Sequence, residues 1–335
     1  MKILLASDAW YPQINGVVRT LNRVRSELEA QGHVFDIVCP DQFRSFPCPS
    51  YPEIPLAILP GIGMAKRLEE SAADAIHIAT EGPIGLAVRN VCLQRGLPFT
   101  TSYHTRFPEY LSARLPVPVS WGYSFMRWFH RPSKAIMVAT NSMKRELEAQ
   151  GFENLVDWTR GVDTALFRPD APKALHGHNL PRPIHLYVGR VAVEKNIKAF
   201  LDLKLEGSKV VVGDGPQRTA LEAEYPDVLF VGAKEGEDLA SHYASGDVFV
   251  FPSRTDTFGL VILEAMASGL PVAAYPVPGP LDIVDGVGVG ALNEDLGIAV
   301  GEAIKLPRER CREHALKYSW TACAEMFLKN LQPLH

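Results

Sequence analysis

The chain has 335 residues, 47% of them hydrophobic, enough to bury two cores of ordinary size. Its 34 basic and 38 acidic side chains leave a net charge of -4, a near balance that offers no general field for nucleic acid, and neither a zinc-finger spacing nor an internal repeat is present. Five cysteines (Cys39, Cys48, Cys92, Cys311, Cys323), odd in number, scattered and without a CxxC pair, have the usage of reduced thiols in a cytosolic protein.

The opening MKILLAS is too short an apolar run for a signal peptide and reads as a first strand. A helix through VVRTLNRVRSELEAQG follows, then strand FDIVCP, a helix near 65–73, strand AIHIA, helix PIGLAVRNVCLQRG, strands PFTTSYH and AIMVAT, and helix SMKRELEAQG. This alternation of short apolar runs with helical patterns predicts βαβ units and a parallel sheet. The stretch RGVDTALFRPDAPKALHGHNLPRP, rich in Pro, Gly and His and weakly periodic, reads as a linker. The pattern then restarts with IHLYVGR, KVVVGDG, VLFVGA, DVFVFPS, a helix from Leu260, and PVAAY. Two Rossmann-like halves follow from this order, with ligands expected beyond the carboxyl ends of the strands, in a cleft between the halves. No stretch approaches the ~20 apolar residues of a spanning helix, so no membrane crossing is expected.

In SRTDTFGLVILEAMASG, Gly259 opens a helix whose Leu260, Val261, Ile262, Leu263, Ala265, Met266 and Ala267 leave no wide polar face, and Gly269 with Pro271 ends it. Such a helix packs on all sides, so the carboxylate of Glu264 in its middle needs a hydrogen-bonded partner. That partner is either a protein group, such as a backbone amide or an arginine, or a ligand. Amides near Phe258, Gly259 and Leu260 at the helix start can hold an anion such as phosphate, and a diol is a natural mate for Glu264. Phosphate together with a diol describes a nucleotide.

The longer stretch SRTDTFGLVILEAMASGLPVAA resembles the signature of retaining glycosyltransferase family 4, a Ser-x-x-Glu-Gly-Phe-Gly-x-x-x-Leu-Glu-Ala-Met-Ala frame. VGRVAVEKN is similar to the family's strand-turn carrying an Arg and a Lys, VVGDGP to its glycine turn, RGVDTALFRP to its interdomain linker and YPQINGVVRTL to its N-terminal glycine loop. The resemblance spans nearly the whole chain. It implies an α/β protein of the GT-B fold, two Rossmann-like domains facing each other across a cleft. Residues 1–165 would then hold the acceptor, residues 166–317 the nucleotide-sugar donor, and residues 318–335 would form a C-terminal helix packing back on the first domain.

Residue by residue, the resemblance places Arg190 and Lys195 on the donor diphosphate, two cations converging without a metal. As isolated residues they would be solvated surface charges. Gly16 precedes a helix and would let backbone amides approach phosphate; the family more often has two glycines here, and Asn15, which tolerates left-handed backbone angles, occupies the first place. VGDGP lacks the full GxGxxG spacing and by itself reads as a tight strand-to-helix turn. Val231 and Gly232 correspond to the region where backbone groups meet the base. His104, at the end of PFTTSY, takes the position of the family's cleft histidine that helps hold the transferred sugar. Asp256 matches the first glutamate of the signature, which contacts sugar hydroxyls; its shorter side chain bears on which sugar is read. The catalytic set implied is thus His104, Arg190, Lys195 and Asp256, with Gly16, Val231, Gly232, Asp256, Phe258, Gly259, Leu260 and Glu264 as further donor contacts and no metal or other cofactor.

Between Arg106 and Arg145 seven basic residues (Arg106, Arg114, Arg127, Arg131, Lys134, Lys144, Arg145) stand against one acidic, Glu109. Within SWGYSFMRWFHR, helical spacing puts Trp121, Phe125, Trp128 and Phe129 on one face and Ser120, Ser124, Arg127 and Arg131 on another. The aromatic face either packs into the N-terminal core or lies in a membrane interface, with arginines on anionic lipid. The second reading makes Trp121, Phe125, Arg127, Trp128 and Arg131 acceptor or membrane contacts.

The expected activity is a retaining, metal-independent hexosyl transfer from a nucleotide diphosphate sugar to an acceptor hydroxyl, the nucleotide being UDP by family frequency. Some bacterial glycolipid synthases carry a similar TDTFGL loop, so a lipid acceptor, diacylglycerol above others, is expected, on a cytoplasmic protein peripheral to the inner face of the membrane. Polysaccharide and small-molecule acceptors stay open. So do a nucleotide-sugar 2-epimerase, which needs no acceptor, and a non-catalytic nucleotide-sugar binder. A dinucleotide-dependent dehydrogenase is disfavoured, because the first strand leads into SDAWYPQING without the glycine fingerprint.

Overall fold

A computed structural model describes residues 1–13, 15–48, 51–112, 117–256 and 258–334; Arg114 of the basic segment lies outside the described residues. The chain divides into two compact units, Met1–Arg160 with Trp320–His335, and Gly161–Ser319.

The first unit runs through β1 (Lys2–Ala6), α1 (Gly16–Ala30), β2 (Val34–Val38), β3 (Ser45–Cys48), β4 (Tyr51–Ala57), α2 (Met64–Ser71), β5 (Ala75–Ile78) and α3 (Pro83–Arg95). It continues with β6 (Thr100–Tyr103), α4 (Phe107–Ser112), α5 (Val119–His130), β7 (Ile136–Val138), α6 (Asn141–Ala149) and β8 (Leu155–Asp157). Six strands form a parallel sheet in the order β2-β1-β5-β6-β7-β8, while β3 and β4 pair antiparallel. The unbroken apolar run of β1 follows from burial on both faces. Leu4 and Ala6 join Met64, Ile84 and Val88 in one core cluster, while Ile3 and Leu5 join Leu21, Val24 and Leu28 in another.

The second unit holds β9 (Ile184–Val188), α7 (Ile197–Leu201), β10 (Ser208–Val212), α8 (Arg218–Glu224), β11 (Leu229–Gly232), α9 (Gly236–Ser245) and β12 (Val248–Phe251). Then come α10 (Leu260–Ala267), β13 (Val272–Ala274), α11 (Pro278–Val284), β14 (Gly290–Leu292), α12 (Leu296–Ala303) and α13 (Arg308–Ala315). Its sheet is parallel in the order β11-β10-β9-β12-β13-β14, so the strand order reverses between β9 and β12. Residues 161–165, placed with the first domain on sequence, are tied into this second unit. The Arg312 guanidinium on α13 donates to the carbonyls of Thr164 (2.8 Å) and Phe167 (2.7 Å), and Val162 N–H donates to Tyr318 O at 3.1 Å.

Helix α14 (Trp320–Asn330) belongs to the first unit. Cys323, Ala324, Phe327 and Leu331 complete the cluster of Ile3 and Leu5, and Trp158 Nε1 donates to Cys323 O at 3.2 Å. Cys39, Cys92, Cys311 and Cys323 are buried free thiols. Among the described residues no helix is long and apolar enough to cross a membrane.

His77 on β5 is fully buried between Thr100 Oγ1 (2.9 Å) and Ser102 Oγ (2.7 Å), with its ring 4.9 Å from that of Phe327. Burial pushes its pKa down to about 3. The unfolded chain therefore binds the extra proton first, and the stability contributed by the neutral ring, full above the ordinary value of 6.5, is lost as pH falls from there towards 3. Each pH unit in that window costs up to about 1.4 kcal/mol. Urea unfolding of the first unit at pH 7.5 and 5.5 should lose about 1 kcal/mol less in His77→Gln than in wild type. Equal losses would mean that His77 accepts a proton in the folded state.

Candidate active site

The strand order reverses between β9 and β12, and the place beyond the carboxyl ends at such a reversal is where open α/β sheets bind ligands. Arg190 and Lys195 leave β9 on one loop, and Asp256 leaves β12 on the other. Contacts between the loops include Asn196 Nδ2 donating to Pro252 O at 3.1 Å, Thr255 Oγ1 donating to Glu194 O at 3.1 Å, and the ion pair of the Lys195 ammonium with Asp256 Oδ1. Asp256 Oδ2 is buried without a hydrogen-bond partner, so one carboxylate oxygen of the pair retains its accepting capacity. The Arg190 backbone is fixed separately from its side chain, because the buried Tyr187 hydroxyl donates to Arg190 O at 2.7 Å.

The glycine turn after β10 holds this loop from the other side. Gly189 N–H donates to Val212 O (3.0 Å), Val191 N–H to Asp214 O (2.9 Å) and Gln217 N–H to Val191 O (3.1 Å). The backbones come so close that a Cβ on Gly213 would lie 1.8 Å from Gly189 O, and one on Gly215 would lie 2.4 Å from Val191 O. VGDGP is thus a tight turn, as its isolated spacing suggests, and its glycines serve close main-chain approach. Val231 and Gly232 end β11 next to this turn, with Gly213 N–H donating to Gly232 O at 2.9 Å.

Helix α10 begins at Gly259, whose φ of 87° is left-handed and whose added Cβ would lie 3.1 Å from Phe251 Cζ. Glycine has no side-chain oxygen with which to cap the first turn. Phe258 is buried, and a Cβ on Gly279 at the start of α11 would lie 2.5 Å from Phe258 O, so the loop before α10 is clamped in place. Within α10, Glu264 is 8% exposed and accepts a hydrogen bond from the fully buried Tyr243 hydroxyl of α9 at 2.9 Å. The carboxylate therefore has a protein partner. That bond is accepted by Oε2.

In the first unit, His104 follows β6, and its Nδ1 lies 3.3 Å from Arg160 Nη2, its ring 5.6 Å from Trp158. Burial, then the Arg160 charge, holds its pKa well below the ordinary 6.5, so the ring is neutral at physiological pH. Gly16 is exposed at the start of α1. Asn15 before it is extended (φ -151°) rather than left-handed, and its Oδ1 caps the helix by accepting from Val17 and Val18 N–H, each at 3.0 Å. Two of the amides that were expected to approach phosphate here are thus taken by the chain itself. His104, Asp8 and Gly16 are not drawn into one cluster by any of these bonds. Asp8, which sequence reasoning missed, follows β1 and caps α3, accepting from Ile84 N–H (2.8 Å), Gly85 N–H (3.2 Å) and the Thr80 hydroxyl (2.9 Å). Burial raises its pKa.

Comparison with known proteins bears directly on this arrangement. Residues 14–166 match the description "Glycosyltransferase Family 4" and residues 182–305 match "Glycosyl transferases group 1". A GDP-mannose-dependent alpha-mannosyltransferase of Mycobacterium tuberculosis is 30% identical over 308 residues, 85% of this chain and 81% of the relative. The chain belongs to glycosyltransferase family 4. An alpha-monoglucosyldiacylglycerol synthase of Streptococcus pneumoniae is 27% identical across 100% of this chain and 85% of its own length. The sucrose-phosphate synthase of Thermosynechococcus elongatus superposes with a TM-score of 0.76 at 20% identity, covering 98% of this chain and 97% of that one. The fold of this glycosyltransferase is GT-B.

The basic aromatic segment of the glycosyltransferase does not pack as a single face. Gly122, Tyr123, Met126, Phe129 and His130 are buried, and a Cβ on Gly122 would lie 2.8 Å from Pro108 Cα, which sets the helix orientation. Trp121 and Trp128, by contrast, are 68% and 51% exposed, with Phe125 half-buried between them, 5.8 Å ring to ring from Trp128. Arg127 is engaged with Gln150 O (2.8 Å) and Ser124 Oγ (3.1 Å), whereas Arg131 is exposed. The buried Arg89 of α3 stacks on the Trp128 ring at 4.0 Å and donates to the carbonyls of Trp128 (2.7 Å) and Phe129 (2.8 Å), satisfying the end of α5. Among the described residues no group of three or more His, Cys, Asp or Glu is placed to hold a metal ion.

Proposed function

We propose that this glycosyltransferase moves a hexose from a nucleotide diphosphate sugar to an acceptor hydroxyl with retention, without a metal, and that its acceptor is a lipid such as diacylglycerol. The observation that carries the reading is the ion pair of Lys195 with Asp256 across two loops at the strand reversal, with Arg190 on the first loop and α10 following the second. A diphosphate meets Arg190, Lys195 and the α10 amides, and its charge competes with Asp256 for the Lys195 ammonium. Asp256, relieved of its partner, then accepts from a sugar hydroxyl, with His104 and Gly16 contributing from the acceptor domain. Glu264 takes the ribose diol while keeping the Tyr243 bond, and Val231 and Gly232 meet the base.

In the reaction the bond from the anomeric carbon to phosphate oxygen breaks as the bond to the acceptor oxygen forms on the same face. The leaving phosphate oxygen takes the acceptor proton. Preorganised cations and amides stabilise the charge that accumulates on the diphosphate, the step where such groups count most. The relative of Mycobacterium tuberculosis is named for GDP-mannose, so GDP-mannose stands beside a UDP-sugar as the donor to be distinguished.

The exposed Trp121 and Trp128, with half-buried Phe125 between them and exposed Arg131, support docking at an anionic bilayer, aromatics at the headgroups and arginine on phosphate. The relative named alpha-monoglucosyldiacylglycerol synthase supports the same class of acceptor. Nucleotide diphosphate release should occur with one member of a panel of UDP- and GDP-sugars and rise strongly with liposomes containing diacylglycerol. Lipid-independent release would move the acceptor to a soluble molecule. Conversion of the donor without any acceptor would instead establish an epimerase.

A further inference from the structure

Arg160 is 4% exposed in the turn after β8, and its contacts are set by main-chain carbonyls: Nη1 donates to Trp158 O at 2.5 Å and Thr159 O at 3.1 Å. Its guanidinium lies 4.2 Å over the Trp158 ring, and that ring meets His104 edge to face. The remaining nitrogen, Nη2, reaches His104 Nδ1 at 3.3 Å. A guanidinium donates and cannot accept, so the bond can form only if Nδ1 carries no proton. Burial lowers the Arg160 pKa to about 10, still far above neutrality, so the group stays charged. A charged arginine this close also opposes a second proton on the ring.

We infer that Arg160 is a positioning residue that holds His104 as the neutral tautomer protonated at Nε2, so that the ring meets the donor sugar as a hydrogen-bond donor. The inference rests on the proposed role of His104 in sugar binding, but the tautomer itself does not. It assigns work to the first residue of the RGVD turn, a position otherwise read as linker. It also excludes a general-acid role for His104 through an imidazolium. The charged and titratable groups that face the ring are Arg160, His77 and His130, and all three oppose its protonation.

Nitrogen-15 NMR of the full chain decides the tautomer without substrate, with the His104 signals assigned by their loss in His104→Gln. Wild type should give an unprotonated Nδ1 and a protonated Nε2, with no titration between pH 8 and 6. In Arg160→Met, which keeps the bulk of the side chain, the Nδ1 signal should shift and titration should return towards the ordinary range. Arg160→Lys, still a donor, should restore the wild-type pattern in part. Turnover of Arg160→Met should fall about tenfold in kcat with little change in donor KM, the scale of one neutral hydrogen bond. A wild-type His104 protonated at Nδ1, or a doubly protonated ring at pH 7, would overturn the inference. An unchanged spectrum in Arg160→Met would do the same. Normal turnover of His104→Gln, with the wild-type tautomer in place, would sink the sugar-contact reading instead.

Discussion

Arg190→Ala is expected to lower kcat about 10²- to 10³-fold with a much smaller effect on melting temperature, because a preorganised cation is removed from the leaving diphosphate. The separation of the two effects has a structural cause. What fixes the backbone at this position is the Tyr187 hydroxyl bonded to Arg190 O, together with the main-chain bonds of Gly189 and Val191, and none of these needs the guanidinium. Arg190→Lys should recover only part of the loss, since an ammonium is a point charge and cannot grip two phosphate oxygens in one plane. Steady-state kinetics with the donor identified in the release assay, beside a thermal melt, would check both. Turnover at the wild-type rate in Arg190→Ala would remove this residue from the scheme.

Gly213→Ala should be the most damaging small substitution in the donor domain. The added carbon would sit 1.8 Å from Gly189 O, and that neighbour is backbone in the next strand exit, so no side chain can swing away. The exits of β9 and β10 must part, at a cost of about 3 kcal/mol or more. For a unit of this size that is a fall in melting temperature of roughly 10 °C. Gly177→Ala is the matched control, because its new carbon would meet nothing within 4 Å, and its stability should change by less than about 0.5 kcal/mol. Equal melting temperatures for the two variants would mean that the turn is not packed as described.

Alternation of strand and helix was legible because each element's period is local, and so was the pair of Rossmann-like halves. Strand order was not: β2-β1-β5 in one sheet and β11-β10-β9-β12 in the other depend on pairings between segments far apart in the chain. At the site, Arg190, Lys195, Asp256 and Glu264 could be picked out because each stands in a motif. Their partners could not. Tyr243 looks like any aromatic of a helix until α9 packs on α10. Asp8 is one acid in a loop until Ile84 and Gly85 supply its amides from across the sheet. The Asn15 cap was there to be read, as an Asn directly before an apolar-periodic helix, and the expectation of a glycine loop displaced it. For α5, aromatic side chains surround the helix on more than one side, so periodicity could not choose a face. Gly122 against Pro108 chooses it, and that contact is tertiary.

The chain order of the first unit has a consequence for how the protein is made. Its core contains Phe327 and Leu331, and Pro333 bridges to Ala75, so the half synthesised first is the half finished last. Until those residues have cleared the ribosome, the α14-facing side of the β1 and β5 strands stays uncovered, while residues 161–319 can already close their own core. Vectorial synthesis therefore leaves an apolar surface waiting for its cover, and the nascent chain stays open to chaperones and to aggregation until translation is nearly finished.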